Sequence, residues 1–215
     1  MNPFPVILSA PSGGGKTTIA RELLRRRSDL GYSVSCTTRA ARPAEAHGKD
    51  YYFLSRTEFL RERERHAFAE AAEVHGNLYG TLKSEVKRVL SAGRHVIMDI
   101  DVQGAKQFKR AFPDSVTIFV LPPSAQVLLD RLRSRQTESH GQLLARMQSA
   151  LLELQAIDEY EYVVVNDDLE QAIRTVSSIV DAEVVSRDRV AGLRLSVAGI
   201  IEQLEQEISN QDSEA

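Results

Sequence analysis

A run of glycines lies between an apolar segment and a helical pattern near the start of the chain. The segment PVILS (5–9) is apolar enough for a buried parallel strand, and SAPSGGGKTT (9–18) overlaps its end. The residues that follow place Ile19, Leu23 and Leu24 on one helical face. Glycines let backbone N–H groups point into one concavity at the amino end of a helix. This order of strand, loop and helix predicts a phosphate-binding loop, which constrains the fold more than any other segment.

The loop departs from the pattern G-x-x-x-x-G-K-[ST] at its first position. Gly15, Lys16 and Thr17 complete the pattern, but Ala10 stands where the first glycine is expected. Because Ala10 precedes Pro11, its backbone is biased towards extended angles, so a methyl group is tolerable there. We expect Lys16 to neutralise bound phosphates and the Thr17 hydroxyl to face Mg²⁺. The alternative is a glycine-rich turn that binds nothing.

Composition is compatible with one enzyme-sized domain. The chain has 215 residues, of which 42% are hydrophobic, and this is ample for a single core. A net charge of −3 argues against a nucleic-acid polymer or an anionic membrane as the main partner. Cys36 is the only cysteine, so no internal disulfide can form. The opening residues MNPFPV have no basic region, and no apolar run approaches the roughly 18 residues of a membrane span. We expect a cytoplasmic protein.

Apolar runs alternate with helical patterns along the rest of the chain, an order that predicts a parallel sheet. The region from about 35 to 81 breaks this order and resembles an insertion. Within it we expect a helix capped by Thr57, then extended structure around a turn at Gly76 and Asn77. The expected strands beyond the first are 33–37, 50–55, 95–101, 115–121 and 162–167.

Two aspartates follow the apolar run HVIM, at the strand end where parallel sheets bind their ligands. Asp99 and Asp101 lie on the same edge as the phosphate loop, so they could hold Mg²⁺, directly or through water, or bind a second substrate. Alternatively, both merely cap the helix that begins near Val102.

Four arginines come from two predicted helices and the polar segment between them: Arg131, Arg133, Arg135 and Arg146. Phosphoryl transfer needs several cations around the moving group, and a mobile arginine-bearing segment could close over a site and exclude water. A solvated helix face is the alternative, and we expect it for Arg133.

Together these stretches resemble guanylate kinases from Val6 to about Ile179. The resemblance rests on APSGGGKT, SCTTRAARPAEAHGKDYYF, GNLYGT, MDIDVQG, LPPS, RLRSR and VVNDDL, in the order and spacing of that family. It implies a P-loop nucleoside monophosphate kinase fold, with a parallel-sheet core and helices on both faces. It also implies a domain over 1–189, with a core (1–34 and 82–189), a GMP-binding insertion (about 35–81) and a lid (about 131–146). Residues 190–215 would form a C-terminal helix and tail.

The resemblance also implies a role for each matching residue. The phosphate of GMP would be held by Arg39, Arg42, Tyr51 and Tyr79, and its guanine ring would face Ser35, Glu70, Thr81 and Asp101. ATP would contact Asn166 and the loop residues Ala10, Pro11, Ser12, Gly13, Gly14, Gly15, Lys16, Thr17 and Thr18. Thr17 and Asp99 would hold Mg²⁺. The residues implied for catalysis are Lys16, Arg39, Arg131, Arg135 and Arg146.

The implied reaction moves the γ-phosphoryl group of Mg·ATP to GMP, or to dGMP, giving a nucleoside diphosphate and ADP. Two departures concern the lid, where Ser134 and Gln136 stand at usual glycine positions. Two alternative functions remain, a catalytically silent interaction module and a P-loop kinase for another small phosphate acceptor. The resemblance is compatible with a monomer or a homodimer.

The end of the chain carries an apolar stripe. Val197, Ile201, Leu204 and Ile208 recur at helical spacing, which predicts a helix with one apolar face. Because such faces usually bury within their own domain, we expect the stripe to pack on the core, with a dimer contact as the alternative.

Overall fold

The computed structural model describes residues 2–74, 76–133 and 140–214. Nine β-strands lie in these ranges: β1 (Pro5–Ser9), β2 (Leu30–Tyr32), β3 (Cys36–Thr37), β4 (Tyr52–Phe53), β5 (Phe68–Val74), β6 (Asn77–Leu82), β7 (His95–Asp99), β8 (Val116–Leu121) and β9 (Tyr162–Val165). The same ranges contain eight α-helices: α1 (Lys16–Arg26), α2 (Arg56–Glu64), α3 (Lys83–Ser91), α4 (Val102–Ala111), α5 (Ala125–Arg133), α6 (His140–Gln155), α7 (Leu169–Val184) and α8 (Leu193–Glu214).

The core sheet has the strand order β2-β7-β1-β8-β9, and its strand pairs are parallel. The central strand β1 is buried along its whole length, with Ile7 opposite Met98 on one side and Thr117 on the other. The prediction of a parallel sheet built from apolar runs is confirmed.

Helices cover both faces of this sheet. Val6 and Leu8 pack with residues of α1 and α7, whereas Ile7 points the other way and packs with α3 and α4. This alternation follows from the two-residue period of a strand. The chain therefore has a layered α/β architecture, with the carboxyl end of β1 opening into the glycine-rich loop.

A second sheet lies between β2 and α3 in the chain and has the order β4-β3-β6-β5. Strands β3 and β4 pair in parallel, while β6 runs antiparallel to both β3 and β5. Phe59 of α2 stacks on Phe68 at 4.4 Å and closes a small core that includes Cys36. Burial raises the pKa of the Cys36 thiol to about 12, so this cysteine stays protonated and serves packing.

Several element boundaries differ from the predictions. The expected strand 33–37 is wrong because the chain crosses between sheets there: β2 ends at Tyr32 and β3 begins at Cys36. In the expected strand 50–55, only Tyr52–Phe53 pairs. Thr57 does not cap α2, since the Ser55 side chain accepts from the Glu58 amide in a reciprocal capping box.

The apolar stripe of α8 is exposed, so the expectation that it packs on the core is wrong. Val197, Ile201, Leu204 and Ile208 retain 44%, 50%, 58% and 61% of their accessible surface. Helices α1, α7, α3 and α4 supply the apolar residues that pack on the two faces of the core sheet, and none of the four stripe residues belongs to those clusters. In the described parts of the chain, no helix is long and apolar enough to cross a membrane.

A chain that stops after Arg189 should fold and keep its activity. The Arg189 guanidinium lies 4.2 Å from the centre of the Phe4 ring and 2.9 Å from Glu183, so this residue anchors the end of the core. Thermal unfolding should change little on truncation, and gel filtration should show whether the exposed stripe of α8 supports a larger oligomer. A truncated protein that unfolds, or that loses the affinity for GMP implied by the resemblance, would contradict this prediction.

Candidate active site

The glycine-rich loop makes a tight turn that ends at the amino end of α1. Gly13 and Gly15 adopt left-handed angles, with φ of 84° and 96°, and Gly15 is the N-cap of the helix. The Gly14 amide donates to the Pro11 carbonyl at 2.7 Å. Glycine is favoured at 13 and 15 because other residues rarely adopt these angles. The loop therefore presents backbone amides at a helix amino terminus, which is where phosphates bind.

Ala10 is accommodated by the glycine at position 14. Its backbone is not left-handed, so the first position of the motif does not require glycine here. Its methyl group is fully buried, and a Cβ added to Gly14 would lie 2.6 Å from the Ala10 Cβ. The methyl of Ala10 thus fills space that a side chain at 14 would need.

Thr17 and Asp99 meet at the base of the loop. The Thr17 hydroxyl donates to the Asp99 carboxylate at 2.5 Å, which brings two oxygen ligands together beside the phosphate loop. This donor set suits Mg²⁺, which binds few protein oxygens and keeps most of its ligands from water and phosphate. Asp101 differs from Asp99, because it caps α4 by accepting from the Gly104 amide at 2.7 Å.

A cleft of about 680 Å³ runs from Thr17 across the edge of the core sheet to the second sheet. Most residues predicted for the acceptor and metal sites line it: Thr17, Ser35, Arg39, Arg42, Tyr51, Glu70, Tyr79, Asp99 and Asp101. Thr81 lies directly behind Glu70 and contacts it. The tertiary structure therefore brings into one cavity side chains that span more than 80 positions of the sequence.

A buried polar group lies at one end of the cleft. The Thr81 hydroxyl donates to Glu70 at 2.7 Å and lies 3.4 Å from the Ser35 hydroxyl. Glu70 keeps only 8% of its accessible surface, so it does not face solvent as a surface strand residue would. A register shift between Phe68 and Glu70 sets two residues of β5 against one of β6, a bulge that brings Glu70 opposite Thr81.

The environment of Glu70 stabilises its protonated form relative to that of an exposed glutamate. Burial raises the pKa of Glu70 to about 7, the negative charge of Asp101 adds to the rise, and the hydrogen bond from Thr81 opposes it. A Cβ on Gly104 would lie 3.3 Å from both the Glu70 and the Asp101 carboxylates, so a glycine there lets α4 approach them. Two carboxyl groups therefore face the same small space.

The other part of the cleft is cationic and aromatic. Arg39 forms a two-point ion pair with Glu45 at 2.8 and 2.9 Å, and its guanidinium lies 5.5 Å from the Tyr51 ring centre. Glu45 also accepts from the Arg42 backbone amide at 2.8 Å. The hydrogen bonds from Arg39 and then from this amide lower the pKa of Glu45. The Tyr51 and Tyr79 rings meet edge to face at 6.1 Å. Guanidinium and phenol donors grouped in this way suit a phosphate.

The predicted ATP contact Asn166 and two of the predicted lid arginines lie close to the phosphate loop. The Asn166 amide donates to the Gly14 carbonyl at 2.9 Å, and Arg131 donates to the Asn166 carbonyl at 3.2 Å. Arg146 donates to the Ser12 hydroxyl at 3.2 Å. Arg133 is more than half exposed, as expected for a solvated face. The predicted residues Arg135, Ser134 and Gln136 lie outside the described ranges.

Sequence reasoning missed several residues of the site. Glu45, Arg21 and Tyr32 line the cleft, and Glu153 of α6 accepts from the Ser12 amide at 2.9 Å. Glu45 lies six residues after Arg39 in the loop that carries the predicted phosphate-binding arginines. The opposite charges of Glu45 and Arg39 were the sequence signal for this pair. Glu153 is 141 positions from Ser12, and no local pattern indicates that contact.

The fold and the cleft define a P-loop nucleoside monophosphate kinase. The family model for guanylate kinase matches residues 2–183. The chain is 44% identical over 197 residues to the guanylate kinase of Thermotoga maritima (90% of this chain, 95% of the relative) and 44% identical over 199 residues to that of Bartonella henselae (92% and 89%). The crystal structure of guanylate kinase from Anaplasma phagocytophilum has a TM-score of 0.72 at 37% identity, covering 89% and 92% of the two chains. The chain belongs to the guanylate kinase family.

Substitution of Gly14 by alanine should impair the loop. The new Cβ would lie 2.6 Å from the Ala10 methyl and 2.9 Å from the Pro11 carbonyl oxygen, so we expect a loss of stability of about 1–3 kcal/mol and reduced ATP binding. Adding Ala10→Gly should restore part of the loss, because it removes the first contact only. Gly199→Ala is the control, since a Cβ there would lie within 4 Å of no other described segment of the chain. Wild-type ATP binding and stability in Gly14→Ala would show that the two positions do not compete for space.

Proposed function

We propose that the chain transfers the γ-phosphoryl group of magnesium-bound ATP to GMP in this cleft, giving ADP and GDP. Membership of the guanylate kinase family makes the chain a kinase that phosphorylates GMP. The nucleotide donor, the metal and the role of each residue are our proposal. One observation carries it. The buried Glu70 carboxyl group, a cluster of arginines and tyrosines suited to binding a phosphate, and the phosphate loop all adjoin a single cleft.

The buried end of the cleft suits the guanine base. Guanine presents N1–H and an exocyclic amino group side by side, and the ionised carboxylate of Glu70 offers two acceptors in a matching arrangement. Asp101 supplies a further acceptor close by, and the Ser35 and Thr81 hydroxyls add adaptable partners. Adenine carries a bare acceptor at N1, so AMP would leave the buried Glu70 unpaired. A site built for hydrogen bonds rejects such an analogue by about 10⁴-fold or more.

The cationic part of the cleft suits the phosphate of GMP. Arg39 is held in place by Glu45 and lies beside Tyr51, so its orientation is set before the substrate arrives. Burial raises the pKa of the Tyr51 phenol, which therefore stays a neutral donor. Arg42 and Tyr79 complete the group. Together they would hold the acceptor oxygen towards the phosphate loop.

Residues at the loop would carry the transfer itself. The attacking phosphate oxygen of GMP is largely ionised at neutral pH, so positioning and charge stabilisation suffice without a general base. Lys16 and the arginines at 131, 135 and 146 would neutralise charge on the moving group. Thr17 and Asp99 would hold Mg²⁺, which neutralises phosphate charge when bound. Asn166, which braces Gly14, would also border the adenine.

The regions of the chain would divide these tasks. Residues 35–81 would bind GMP, residues 131–146 would close as a lid, and the tail 190–215 would lie outside the catalytic unit. A cytoplasmic location fits the single buried cysteine. The intact motif of Lys16 and Thr17 opposes a silent interaction module, and the buried Glu70 opposes another acceptor. A coupled assay of ADP formation with GMP, dGMP, AMP, CMP and UMP separates these functions: activity with GMP and dGMP alone is expected.

Lys16→Ala should lower kcat by about a hundredfold or more, because it removes a cation from the transferring phosphoryl group. Direct titration with GMP should give wild-type affinity, since the guanine end of the cleft is unchanged. Lys87→Ala on the exposed face of α3 is the matched control. A Lys16→Ala enzyme with near-normal turnover would mean that this loop is not the catalytic one.

Glu70→Gln should lower kcat/KM for GMP by about a hundredfold, since its amide presents a donor to guanine's own donors. The wild-type affinity for GMP should rise by about tenfold between pH 6 and pH 8, because the carboxyl group with its pKa of about 7 ionises over that range. The variant should show only the shallower change due to the GMP phosphate, which titrates near pH 6.

Glu73→Gln supplies the control for this substitution, because Glu73 lies three residues along β5 and is half exposed beside Arg56. Affinity for ATP should not change in either variant. A Glu70→Gln enzyme with wild-type GMP kinetics and full rejection of AMP would overturn the guanine assignment.

A further inference from the structure

Two residues of helix α6 hydrogen-bond to one residue of the phosphate loop, Ser12. The Glu153 carboxylate accepts the Ser12 amide at 2.9 Å, and Arg146 donates to the Ser12 hydroxyl at 3.2 and 3.4 Å from two of its nitrogens. Arg146 and Glu153 are seven residues apart, which is two helical turns, so they lie on the same face of α6. Both the backbone and the side chain of one loop residue are thus held by one helix.

We propose that Glu153 is a positioning residue that holds the phosphate loop in the conformation that receives ATP. This role rests on the proposed function of the loop as the ATP site. Glu153 and Arg146 together would couple the position of α6, which carries a lid arginine, to the shape of the loop. Glu153 acts through Ser12 and does not contact the reacting atoms.

The chemistry of the contact between Glu153 and Ser12 favours a role in holding the loop in one conformation. A hydrogen bond from a backbone amide to a charged acceptor is stronger than one between neutral groups, and it fixes the amide plane that joins Pro11 to Ser12. The next three residues are glycines, which by themselves allow many backbone conformations. A fixed residue at the entrance of a flexible run lowers the entropy cost of arranging its amides around a phosphate.

The charge of Glu153 is compatible with this role. Burial raises the pKa of Glu153, whereas the Ser12 hydrogen bond and the positive charge of Lys16 oppose the rise. The carboxylate is therefore compensated by a loop amide and a loop lysine from the same motif. Its hydrogen bond joins it to Ser12, and it is not among the residues that line the GMP cleft.

Removal of Glu153 should leave the fold intact. α6 is attached to α5 by a separate apolar cluster that includes Leu132, Leu143, Met147, Ala150 and Leu154. Glu153 is not a member of that cluster. Glu153 variants should therefore stay folded, so changes in their kinetics and binding can be assigned to the loop. Thermal unfolding measurements check that the variants are folded.

The experiment compares Glu153→Ala, Glu153→Gln and the control Glu159→Ala in the full-length chain. Glu159 is a nearby carboxylate that pairs with Lys106 on the surface. Titration with a non-hydrolysable ATP analogue, in the absence of GMP, should show affinity about tenfold to a hundredfold weaker in Glu153→Ala. Glu153→Gln keeps an acceptor oxygen for the Ser12 amide and should recover most of the loss. The KM for GMP should not change in any of the three.

Combining Glu153→Ala with Arg146→Ala tests the shared use of Ser12. The loss of analogue affinity in the double variant should be smaller than the product of the single losses, because both residues act through one loop position. Multiplicative losses would overturn the coupling through Ser12.

Two further outcomes would overturn the positioning role of Glu153. Unchanged analogue affinity with only a lower Tm in Glu153→Ala would assign the residue to stability alone. Tighter binding in Glu153→Gln or Glu153→Ala would mean that the carboxylate competes with ATP phosphates for the loop. A wild-type enzyme that binds the analogue but fails to phosphorylate GMP would overturn the proposed function. The effect of the Glu153 substitutions on analogue affinity could still be measured.

Discussion

The turn between β1 and α1 is the constraint on which the rest of the site depends. The loop follows a compact path at the amino end of α1. Gly13 and Gly15 adopt left-handed angles there, and Gly14 approaches Ala10 closely. Because β1 is the central strand of a parallel sheet, that path lies at the carboxyl edge, where β7 delivers Asp99 to Thr17. The loop, the neighbouring strand end and the cleft beside them are thus one geometric unit.

The two ends of the cleft differ in chemistry. One end offers carboxyl acceptors, which would suit a base, and the other offers arginines, which would suit a phosphate. The deep end of the cleft holds the Glu70 carboxyl group, whose burial raises its pKa to about 7, while the open end holds Arg39, which is already oriented by Glu45. A base with two donors and a phosphate with several acceptors fit this polarity in one direction only. Hydrogen bonding at the deep end and charge at the open end would therefore select and orient the substrate together.

The sequence predicted much of the fold for reasons that are local, and many of the residues it proposed for the site lie together in the structure. Apolar strands predicted the parallel sheet, and residues from the quoted motifs, such as Arg39, Tyr51 and Tyr79, do line one cleft. Prediction failed where a distant contact decides the outcome. The run 33–37 has strand character throughout, but it divides because its two ends belong to different sheets. The stripe of α8 has helical periodicity, yet periodicity does not say whether a surface remains for it to cover.

By itself, the sequence determined the glycine-rich turn, the alternation of strands with helices and the residue types that follow the ends of the strands. These properties depend on backbone angles and side-chain spacing within a few residues. Only the tertiary structure decided that a bulge aligns Glu70 with Thr81, that Ala10 fits because position 14 is glycine, and that Glu153 reaches Ser12. Each of these depends on how closely distant segments pack, and close packing is a property of the assembled layers that no local pattern records.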